Sequence, residues 1–250
     1  MNHDEPITLA SLNLHGGLTA RGEPFDVAGA CHRLKADVIT LQEAWRPDEQ
    51  PDLVTAVAAG LGAQVRYRGL ARNTSRALLG VGTDTGSGTW GLAVLSLLPV
   101  TGYQEIELGR APGDRISRAA QVVTLTMPGG TVLRVVNTHL THRFTSPAQL
   151  MLLARRLEAG PGAGPGLPTV IVGDLNMPRL GTLAAPGYRA TVRGRTYPAG
   201  RTWIQLDHLL FRGPVRVSAA EVADPVGSDH LPIRAELSVG STRPLPGPVP

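Results

Sequence analysis

Short apolar runs, each next to a polar cluster, recur along the chain and limit the fold to one built around β-sheets. Eight runs are rich in β-branched residues and are bounded by Gly, Pro, Asn or Asp, a pattern typical of strands. They cover residues 7–14, 38–41, 92–98, 119–126, 131–136, 169–172, 204–211 and 231–237. Because aromatic residues make up only 4% of the chain, the core must rest on Leu, Val, Ile and Ala.

Helical patterns separate some of these strands. Residues 25–35 and 52–61 repeat apolar side chains at helical spacing. A third helix is predicted to begin at Ser146-Pro147, a polar cap followed by a first-turn proline. Strands and helices alternate early, whereas strand follows strand from about residue 90 to about residue 140. This mixture predicts an α/β (α+β) fold in which mixed β-sheets are covered by helices.

Two segments outside this pattern are predicted to lack regular structure. Residues 73–88 are rich in Gly, Thr and Ser, and we interpret them as a mobile loop. Residues 241–250 contain four prolines and are predicted to form a disordered tail. A single domain over residues 1–240 is expected to precede that tail.

The composition favours a cytoplasmic protein. No apolar run approaches the roughly 18 residues that a membrane span requires. The acidic N-terminus lacks the basic-then-apolar order of a signal peptide. The only cysteine, Cys31, lies in a helical apolar pattern and is interpreted as a buried structural thiol. The formal net charge of +4 is compatible with phosphate-bearing substrates but does not demand a nucleic-acid partner.

Six polar clusters lie at the ends of the apolar runs. They occupy residues 12–16, 41–43, 137–140, 173–176, 206–208 and 228–232. Because open sheets place ligands at the ends of their strands, several strands can each deliver one residue to a shared pocket. An Asp or Asn that closes a strand is more often a turn residue that bonds its own backbone. That alternative explains each cluster singly, but it does not explain six clusters of which four contain a histidine.

The residue types in these clusters suit the hydrolysis of phosphate esters. Such a reaction must offset developing negative charge, and Mg²⁺ does this while it orients an oxygen. Mg²⁺ prefers carboxylate oxygens, which Glu43, Asp174 and Asp229 supply.

A water nucleophile also needs a base. His230 and His139 are candidates because histidine titrates near neutral pH, and Asp207 could orient one of them. Three side-chain amides are available as hydrogen-bond donors to phosphoryl oxygens. They belong to Asn13, Asn137 and Asn176.

The set of motifs resembles the endonuclease/exonuclease/phosphatase superfamily, which includes deoxyribonuclease I, apurinic-site endonucleases, inositol-polyphosphate phosphatases and neutral sphingomyelinases. The resemblance extends from Asn13 to His230 in the family's order. Its most specific parts are Gly-Asp-Leu-Asn (173–176), Ser-Asp-His-Leu-Pro (228–232) and Asn-Thr-His-Leu (137–140). The resemblance implies a catalytic domain over residues 1–240, folded as a four-layer sandwich of two packed mixed β-sheets flanked by helices.

The resemblance also implies a role for each residue of the site. Glu43 would bind the metal, with Asn13 and Asp229 close to it. His230 would be the general base, paired with Asp207.

Further residues would face the water and the phosphate. Asp174 and Asn176 would position the attacking water and the phosphoryl oxygens, and His139 would contact the scissile phosphate. Arg118 lies where many members carry a phosphate-facing arginine, although it could equally be an ordinary exposed arginine on a strand. The expected substrate-binding residues are Asn137, Arg118 and His15.

The sequence departs from the DNA-repair members of the superfamily. His15 stands where those nucleases carry an acid, which puts their second metal site in doubt. The chain also lacks lysine-rich or aromatic loops that could wedge into a duplex. We therefore expect a small, accessible phosphate ester or a single-stranded or non-specific nucleic acid as the substrate.

The sequence thus predicts a phosphoesterase that depends on Mg²⁺ or Mn²⁺, with no membrane span and no obligate protein partner. Three alternatives remain at this stage. The chain could be a non-catalytic phosphate-binding module on the same fold, or a specific DNA-repair endonuclease. It could also be a zinc hydrolase that uses His139, His142 and His230, although no His-Glu-x-x-His motif supports this.

Overall fold

A computed structural model describes residues 5–48, 52–73, 86–142, 144–160 and 166–240. The predicted tail and most of the predicted loop at residues 73–88 lie outside these ranges. Three α-helices are present in the described part: α1 (Val27–Leu34), α2 (Leu53–Leu61) and α3 (Ser146–Ala159). The twelve strands are β1 (Ile7–Asn13), β2 (Val38–Pro47), β3 (Gln64–Asn73), β4 (Gly88–Ser96), β5 (Val100–Gly109), β6 (Arg118–Thr126), β7 (Val132–Thr138), β8 (Thr169–Asp174), β9 (Arg189–Ala190), β10 (Asp207–Arg212), β11 (Val215–Val222) and β12 (Ile233–Val239).

The strands form two six-stranded sheets. The first has the order β11-β12-β1-β2-β4-β3, and the second has the order β5-β6-β7-β8-β10-β9. Each sheet contains one parallel pair, β1 with β2 and β7 with β8, while the other pairs are antiparallel.

A helix connects the two strands of each parallel pair, because parallel neighbours need a crossover connection. Helix α1 lies between β1 and β2 in the chain, and helix α3 lies between β7 and β8. Each crossover makes its two strands run in the same direction, so that their carboxyl ends point to the same end of the sheet. The two crossovers therefore place the clusters 12–16, 137–140 and 173–176 at strand ends, and they place residues 41–43, inside β2, beside the end of β1.

Three apolar clusters hold the layers together. The largest lies between the sheets and is lined by side chains such as Leu9, Val123 and Leu209. A second packs α1 and α2 against the outer face of the first sheet, and a third packs α3 against the outer face of the second. The layers therefore run helix, sheet, sheet, helix, which confirms the predicted four-layer sandwich. None of the helices in the described ranges is long and apolar enough to cross a membrane.

The eight predicted strands correspond to the eight inner strands of the two sheets. The sequence analysis did not predict β3, β5, β9 and β11. These four strands are the edges of the two sheets.

Candidate active site

The six polar clusters meet at one end of the sandwich. Three of them lie at the carboxyl ends of β1, β7 and β8, as expected. The fourth, residues 41–43, was expected to close a strand but lies inside β2, where Gln42 pairs with Asn13 at the end of β1. The other two precede their strands, since Asp207 begins β10 and His230 lies just before β12. This difference arises because β10 and β12 run antiparallel to β8 and β1, so that the amino ends of β10 and β12 lie at the same end of the sandwich as the carboxyl ends of β8 and β1. Asp207 and Asp174 are direct cross-strand partners.

A bulge in β2 directs Glu43 toward the site. Leu41 pairs with Ala93 and Ala44 pairs with Gly91, so two residues of β2 oppose one residue of β4. Leu41 and Ala44 both face the helix-side core although they are three positions apart, which regular alternation forbids. Glu43 itself has a positive φ of 49°, a conformation that is rare for a non-glycine residue. The bulge thus fixes the direction of this carboxylate.

Gly173 fits β8 closely against β7 just before Asp174. Its φ is 138°, and a Cβ at this position would lie 2.1 Å from the carbonyl oxygen of Thr138. Only glycine avoids that overlap. The Gly-Asp-Leu-Asn motif therefore begins with a packing residue that sets the position of the carboxylate after it.

Asp207 and His230 form a buried pair. The Nδ1 atom of His230 lies 2.9 Å from Oδ2 of Asp207, and its Nε2 atom lies 3.8 Å from Oδ2 of Asp174. The ring of Tyr197 packs on the imidazole, with the ring centroids 4.7 Å apart. Burial lowers the pKa of His230, but Asp207, Asp174 and Asp229 outweigh burial and raise the pKa to about 10. The pair is therefore held in one orientation, with Nε2 free to face the site.

Glu43 carries an unpaired buried oxygen. The Asn13 amide donates to Oε1 of Glu43 at 3.3 Å and to Oδ2 of Asp174 at 3.1 Å. The other oxygen, Oε2, is buried without a hydrogen-bond partner among the described residues. Burial raises the pKa of Glu43, and the charge of Asp229 raises it further. Burial likewise raises the pKa of Asp174 to about 7.

This crowding of buried carboxylates suits a bound cation. An uncompensated buried carboxylate is costly, and a divalent cation relieves the cost by ligating its oxygens. Asp174, Asp207 and His230 each offer a ligand atom, and these atoms lie within 4.8 Å of one another, which makes them a possible metal site. The residues present therefore fit a metal ion. The histidines of the zinc alternative do not form such a group in the described ranges, since His139 is buried and His142 is exposed.

His139 and Asn176 lie beside these carboxylates. The amide nitrogen of Asn176 is 3.0 Å from Nε2 of His139, which is itself 3.5 Å from Oδ2 of Asp174. The same amide donates to the carbonyl oxygen of Leu140, and the backbone N–H of Asn176 donates to Oδ1 of Asp174. Burial, with help from the charge of Arg118, lowers the pKa of His139 well below its usual value. His139 is therefore neutral and able to act as a hydrogen-bonding group.

Arg118 is buried, and the alternative of an exposed strand arginine is wrong. Its Nε atom lies 3.2 Å from Oδ2 of Asp114, and its Nη1 donates to the carbonyl oxygen of His139 at 3.5 Å. Arg118 also lines a cavity of about 50 Å³ together with Glu43, His139 and Trp90. Asp114, which was not singled out from the sequence, thus anchors Arg118, the arginine that the described residues place in this part of the site.

Asn137 lies between the sheets and does not reach the site surface. Its amide nitrogen donates to the carbonyl oxygens of Leu41 and Ala93 and to Oε1 of Gln121. Its oxygen accepts from Nε2 of Gln42 at 2.7 Å. Because every polar atom of this fully buried side chain is occupied within the protein, the structure does not bring Asn137 to a substrate.

His15 completes the group near Glu43. Its Nδ1 atom is buried without a hydrogen-bond partner in the described part and lies 3.8 Å from Oδ1 of Asp229. The backbone N–H of His15 donates to Oδ1 of Asn13, and the residue has a positive φ of 47°. His15 is thus placed beside Asp229 by the sharp turn that follows β1.

Two residues to which the sequence assigned no role hold the site loops together: Ser228, in the motif 228–232, and Thr196, outside the six clusters. The hydroxyl of Ser228 donates to the backbone oxygen of Asn13 and accepts from the backbone N–H of His230. The hydroxyl of Thr196 accepts from the backbone N–H groups of Leu206 and Asp207. Both serve as hydrogen-bond bridges between loops, a role that spacing in the sequence does not reveal.

Comparisons with known proteins agree with this geometry. The model of the Endonuclease/Exonuclease/phosphatase family matches residues 10–230. An endonuclease/exonuclease/phosphatase from Beutenbergia cavernae is 21% identical, with a TM-score of 0.73, and the match covers 94% of this chain and 72% of that chain. No curated protein gave a significant match.

Two further solved structures share the fold. The human Nocturnin catalytic domain with bound sulfate anion is 20% identical, with a TM-score of 0.70 and coverage of 95% of this chain and 96% of that chain. Truncated TDP2 from Caenorhabditis elegans is 18% identical, with a TM-score of 0.60 and coverage of 94% and 98%. The family match spans most of the chain, so the protein belongs to the endonuclease/exonuclease/phosphatase family, whose members are typically metal-dependent phosphoester hydrolases.

Proposed function

We propose that the protein hydrolyses phosphate esters with the help of a divalent cation, Mg²⁺ or Mn²⁺. The observation that carries the proposal is the position of the buried Asp207–His230 pair, which faces Asp174 next to a carboxylate oxygen of Glu43 that has no partner in the described residues. The Asp207–His230 pair suits proton transfer, and the unpaired oxygen of Glu43 suits a cation.

The cation would be held by Glu43, with Asn13 and Asp229 beside it. We place it there and not at Asp174, Asp207 and His230, because Asp207 already bonds Nδ1 of His230. Support comes from the unpaired Oε2 of Glu43 and from the hydrogen bond that keeps Asn13 against its Oε1. When bound, a divalent cation offsets negative charge that develops on phosphoryl oxygens and orients the ester. Oxygen ligands of this kind are the ones that Mg²⁺ prefers.

His230 would act as the general base. Asp207 holds Nδ1, so Nε2 is the atom that would accept a proton from the attacking water. Carboxylates raise the pKa of His230, so Nε2 would be unprotonated when a bound cation offsets their negative charge. Asp174, whose Oδ2 lies 3.8 Å from that Nε2, would orient the water. Asp207 stabilises the imidazolium that results, as the carboxylate does in other His–Asp pairs.

His139 and Arg118 would hold the phosphoryl group, with Asn176 positioning His139. The amide of Asn176 donates to Nε2 of His139 and to the carbonyl oxygen of Leu140, so the neutral, buried His139 would present its Nδ1–H to developing charge. Arg118 contributes a positive charge that is held in place by the hydrogen bond from its Nη1 to the carbonyl oxygen of His139. His15 would support the cation side through Asp229, and Asn137 is left out of the substrate set because its amide is fully bonded.

A non-catalytic binding module is the competing function. Such a module would be free to lose the acid or the base, yet Glu43, Asp174, Asp207, Asp229 and His230 are all present. We further propose a small or accessible phosphate ester, and the sulfate bound by the Nocturnin domain is in keeping with an anion site on this fold. A duplex binder would need many phosphate-contacting cations, whereas this chain has a net charge of +4.

The test is hydrolysis of bis-p-nitrophenyl phosphate by the purified full chain, with Mg²⁺, with Mn²⁺ and with a chelator. We expect activity with either cation, none in the chelator, and none in the Glu43→Gln variant. The exposed Glu158, which forms a surface ion pair with Arg212, provides the matched control Glu158→Gln. Full activity in the chelator, or a Glu43→Gln variant that hydrolyses the diester normally, would overturn the proposed function.

A further inference from the structure

The most exposed apolar side chains in the described ranges gather around the active-site motifs. Four large apolar residues are exposed by two-thirds or more, and every other exposed large apolar side chain is at 51% or below. The four are Phe144 at 105%, Leu180 at 80%, Leu183 at 76% and Trp203 at 66%. We call these four residues the apolar rim.

Each residue of the rim lies within seven residues of a site motif in the sequence. Phe144 comes five residues after His139, and Trp203 comes four residues before Asp207. Leu180 and Leu183 belong to the 3-10 helix Arg179–Ala184, which follows the Gly-Asp-Leu-Asn motif. Residues three apart eclipse one another in a 3-10 helix, so these two leucines share one side of it.

Hydrogen bonds join the segments that carry the rim. The hydroxyl of Ser146, two residues after Phe144, donates to the backbone oxygen of Asn176. Arg179 and Gln205 both donate to the backbone oxygen of Val192. The backbone N–H of Trp203 donates to the carbonyl oxygen of Tyr197, whose ring packs on His230. Hydrogen bonds therefore connect the segments that carry the rim, and one of these segments packs on the catalytic histidine through Tyr197.

The same surface is strongly basic. Residues 177–206 contain five arginines and no Asp or Glu. The guanidinium group of Arg179 donates to the backbone oxygens of Val192 and Ala190. Arg193, Arg195 and Arg201 are exposed and form no ion pair with any described residue. A surface that combines exposed aromatic and aliphatic groups with unpaired arginines complements an anionic lipid layer, since apolar groups enter the interface and cations bind the headgroups.

We propose that this surface binds anionic phospholipid membranes and places the active site against the headgroup layer. Two of the four rim residues are leucines, which cannot stack on bases as the aromatic platforms of single-strand binders do. The observations therefore favour a lipid surface over a nucleic acid. The binding does not depend on hydrolysis, so it can be measured in a chelator even if the proposed function fails.

Trp203 supplies a direct readout. The chain has three tryptophans, and the other two, Trp45 and Trp90, are buried. The full-length protein is mixed with phosphatidylcholine vesicles that contain one quarter phosphatidylglycerol, or with phosphatidylcholine alone. We expect a blue shift of the emission and co-sedimentation with the anionic vesicles, and weak binding to the neutral ones.

Variants assign the binding to the rim. We expect Phe144→Ser, or Leu180→Ser with Leu183→Ser, to weaken vesicle binding roughly tenfold. Arg193→Gln with Arg195→Gln should weaken it by roughly 25-fold, since each cation near an anionic surface contributes roughly fivefold. All these positions are exposed, so the fold should be retained. Leu97→Ser and Arg216→Gln are matched controls because both residues are exposed and lie at the opposite end of the sheets.

Four results would overturn the proposal. One is an emission spectrum that anionic vesicles leave unchanged. Another is equal binding to neutral and anionic vesicles, and a third is equal vesicle affinity in the rim variants and the controls. The fourth is a shift of the Trp203 emission with a single-stranded oligonucleotide but not with vesicles, which would assign the surface to nucleic acid instead.

Discussion

The two halves of the site differ in how completely their polar atoms are paired. In the proton-transfer half, Asp207 and His230 bond each other, and the ring of Tyr197 packs on the imidazole. In the cation half, made of Asn13, His15, Glu43 and Asp229, two buried atoms lack partners in the described residues. They are Oε2 of Glu43 and Nδ1 of His15.

This difference indicates that the two halves are assembled in different ways. A satisfied buried pair is fixed by the fold itself, because its atoms have no better partners elsewhere. An unpaired buried carboxylate is an unfavourable feature unless a ligand completes it. The proton-transfer half is therefore preorganised by the protein, whereas we expect the cation half to be completed by the ion.

The largest expected effect comes from breaking the proton-transfer half. His230→Ala should lower kcat by about 10²-fold to 10⁴-fold, as removal of a general base does. Asp207→Asn should cause a loss of the same kind, and the double variant should be no slower than His230→Ala because the pair acts as a unit. Diester hydrolysis at saturating Mg²⁺ measures this, with His32→Ala as the control at an exposed histidine. Losses that simply multiply would mean that the two residues act separately.

A second test addresses the cation half through stability. Mg²⁺ at about one hundred times its Kd should stabilise the wild type by about 2.7 kcal/mol. Glu43→Gln should abolish most of this gain, yet in a chelator it should be at least as stable as the wild type, because it removes an unpaired buried charge. Thermal unfolding with and without Mg²⁺ measures both quantities. A chelated variant that is clearly less stable than the wild type would show that the cation half is already complete without an ion.

Two asparagines sharpen the comparison between fold and site. Asn137→Ala should destabilise the protein by about 2 kcal/mol or more, because it leaves buried partners such as Gln42 unpaired. Asn176→Gly should instead lower turnover roughly a hundredfold, with little loss of stability, since glycine accepts the positive φ of 51°. Urea unfolding and diester hydrolysis of both variants decide this. If both variants lowered stability and turnover to the same extent, Asn137 and Asn176 would not have separate structural and catalytic roles.

The smallest expected effect concerns Asp114 and pH. Burial raises the pKa of Asp114, but Arg118 and the backbone N–H of Ile116 outweigh it and keep the pKa below its usual value. A lowered pKa gives stability that is present above the unfolded value, near 3.9, and is lost as the pH falls through the folded value. Asp114→Asn should therefore cost about 1 kcal/mol at neutral pH. Urea unfolding measures the difference in the free energy of unfolding between the variant and the wild type, and this difference should shrink below about pH 4. A difference that stays the same at low pH would mean that groups other than Asp114 hold Arg118.

Strand prediction succeeded in the inner strands and failed at the edges, for a physical reason. An inner strand is covered on both faces, so it is a nearly continuous apolar run, as in β8 with every residue buried. An edge strand is partly exposed and carries polar groups that block further pairing. β5 contains Tyr103, Gln104 and Glu105 in sequence, all exposed, and gives no apolar signal. The four unpredicted strands are accordingly the four edges.

The residue types of the site could be predicted from the sequence, but which of these residues reach the pocket and which are buried in the fold could not. Asn137 and Asn176 both follow apolar runs beside family-like motifs, so the sequence offered no reason to separate them. The bulge at Gln42 and Glu43 and the burial of Arg118 are likewise decided by contacts with other strands. Each of these features depends on residues that are distant in the chain.

The sequence by itself determined which residues are available for chemistry and that most of them lie near strand ends, because apolar runs and the polar residues that bound them are local features. Glu43 is the exception, since it lies in a bulge inside β2. Only the tertiary structure decided which of those residues share a pocket, since pairing, register and the stacking of two sheets are set by long-range contacts. Asp207 and His230 are 23 residues apart and lie 2.9 Å from each other, whereas Asn137, two residues before His139, is occupied between the sheets. The exposed rim beside them has the same origin, because exposure depends on what the rest of the chain covers.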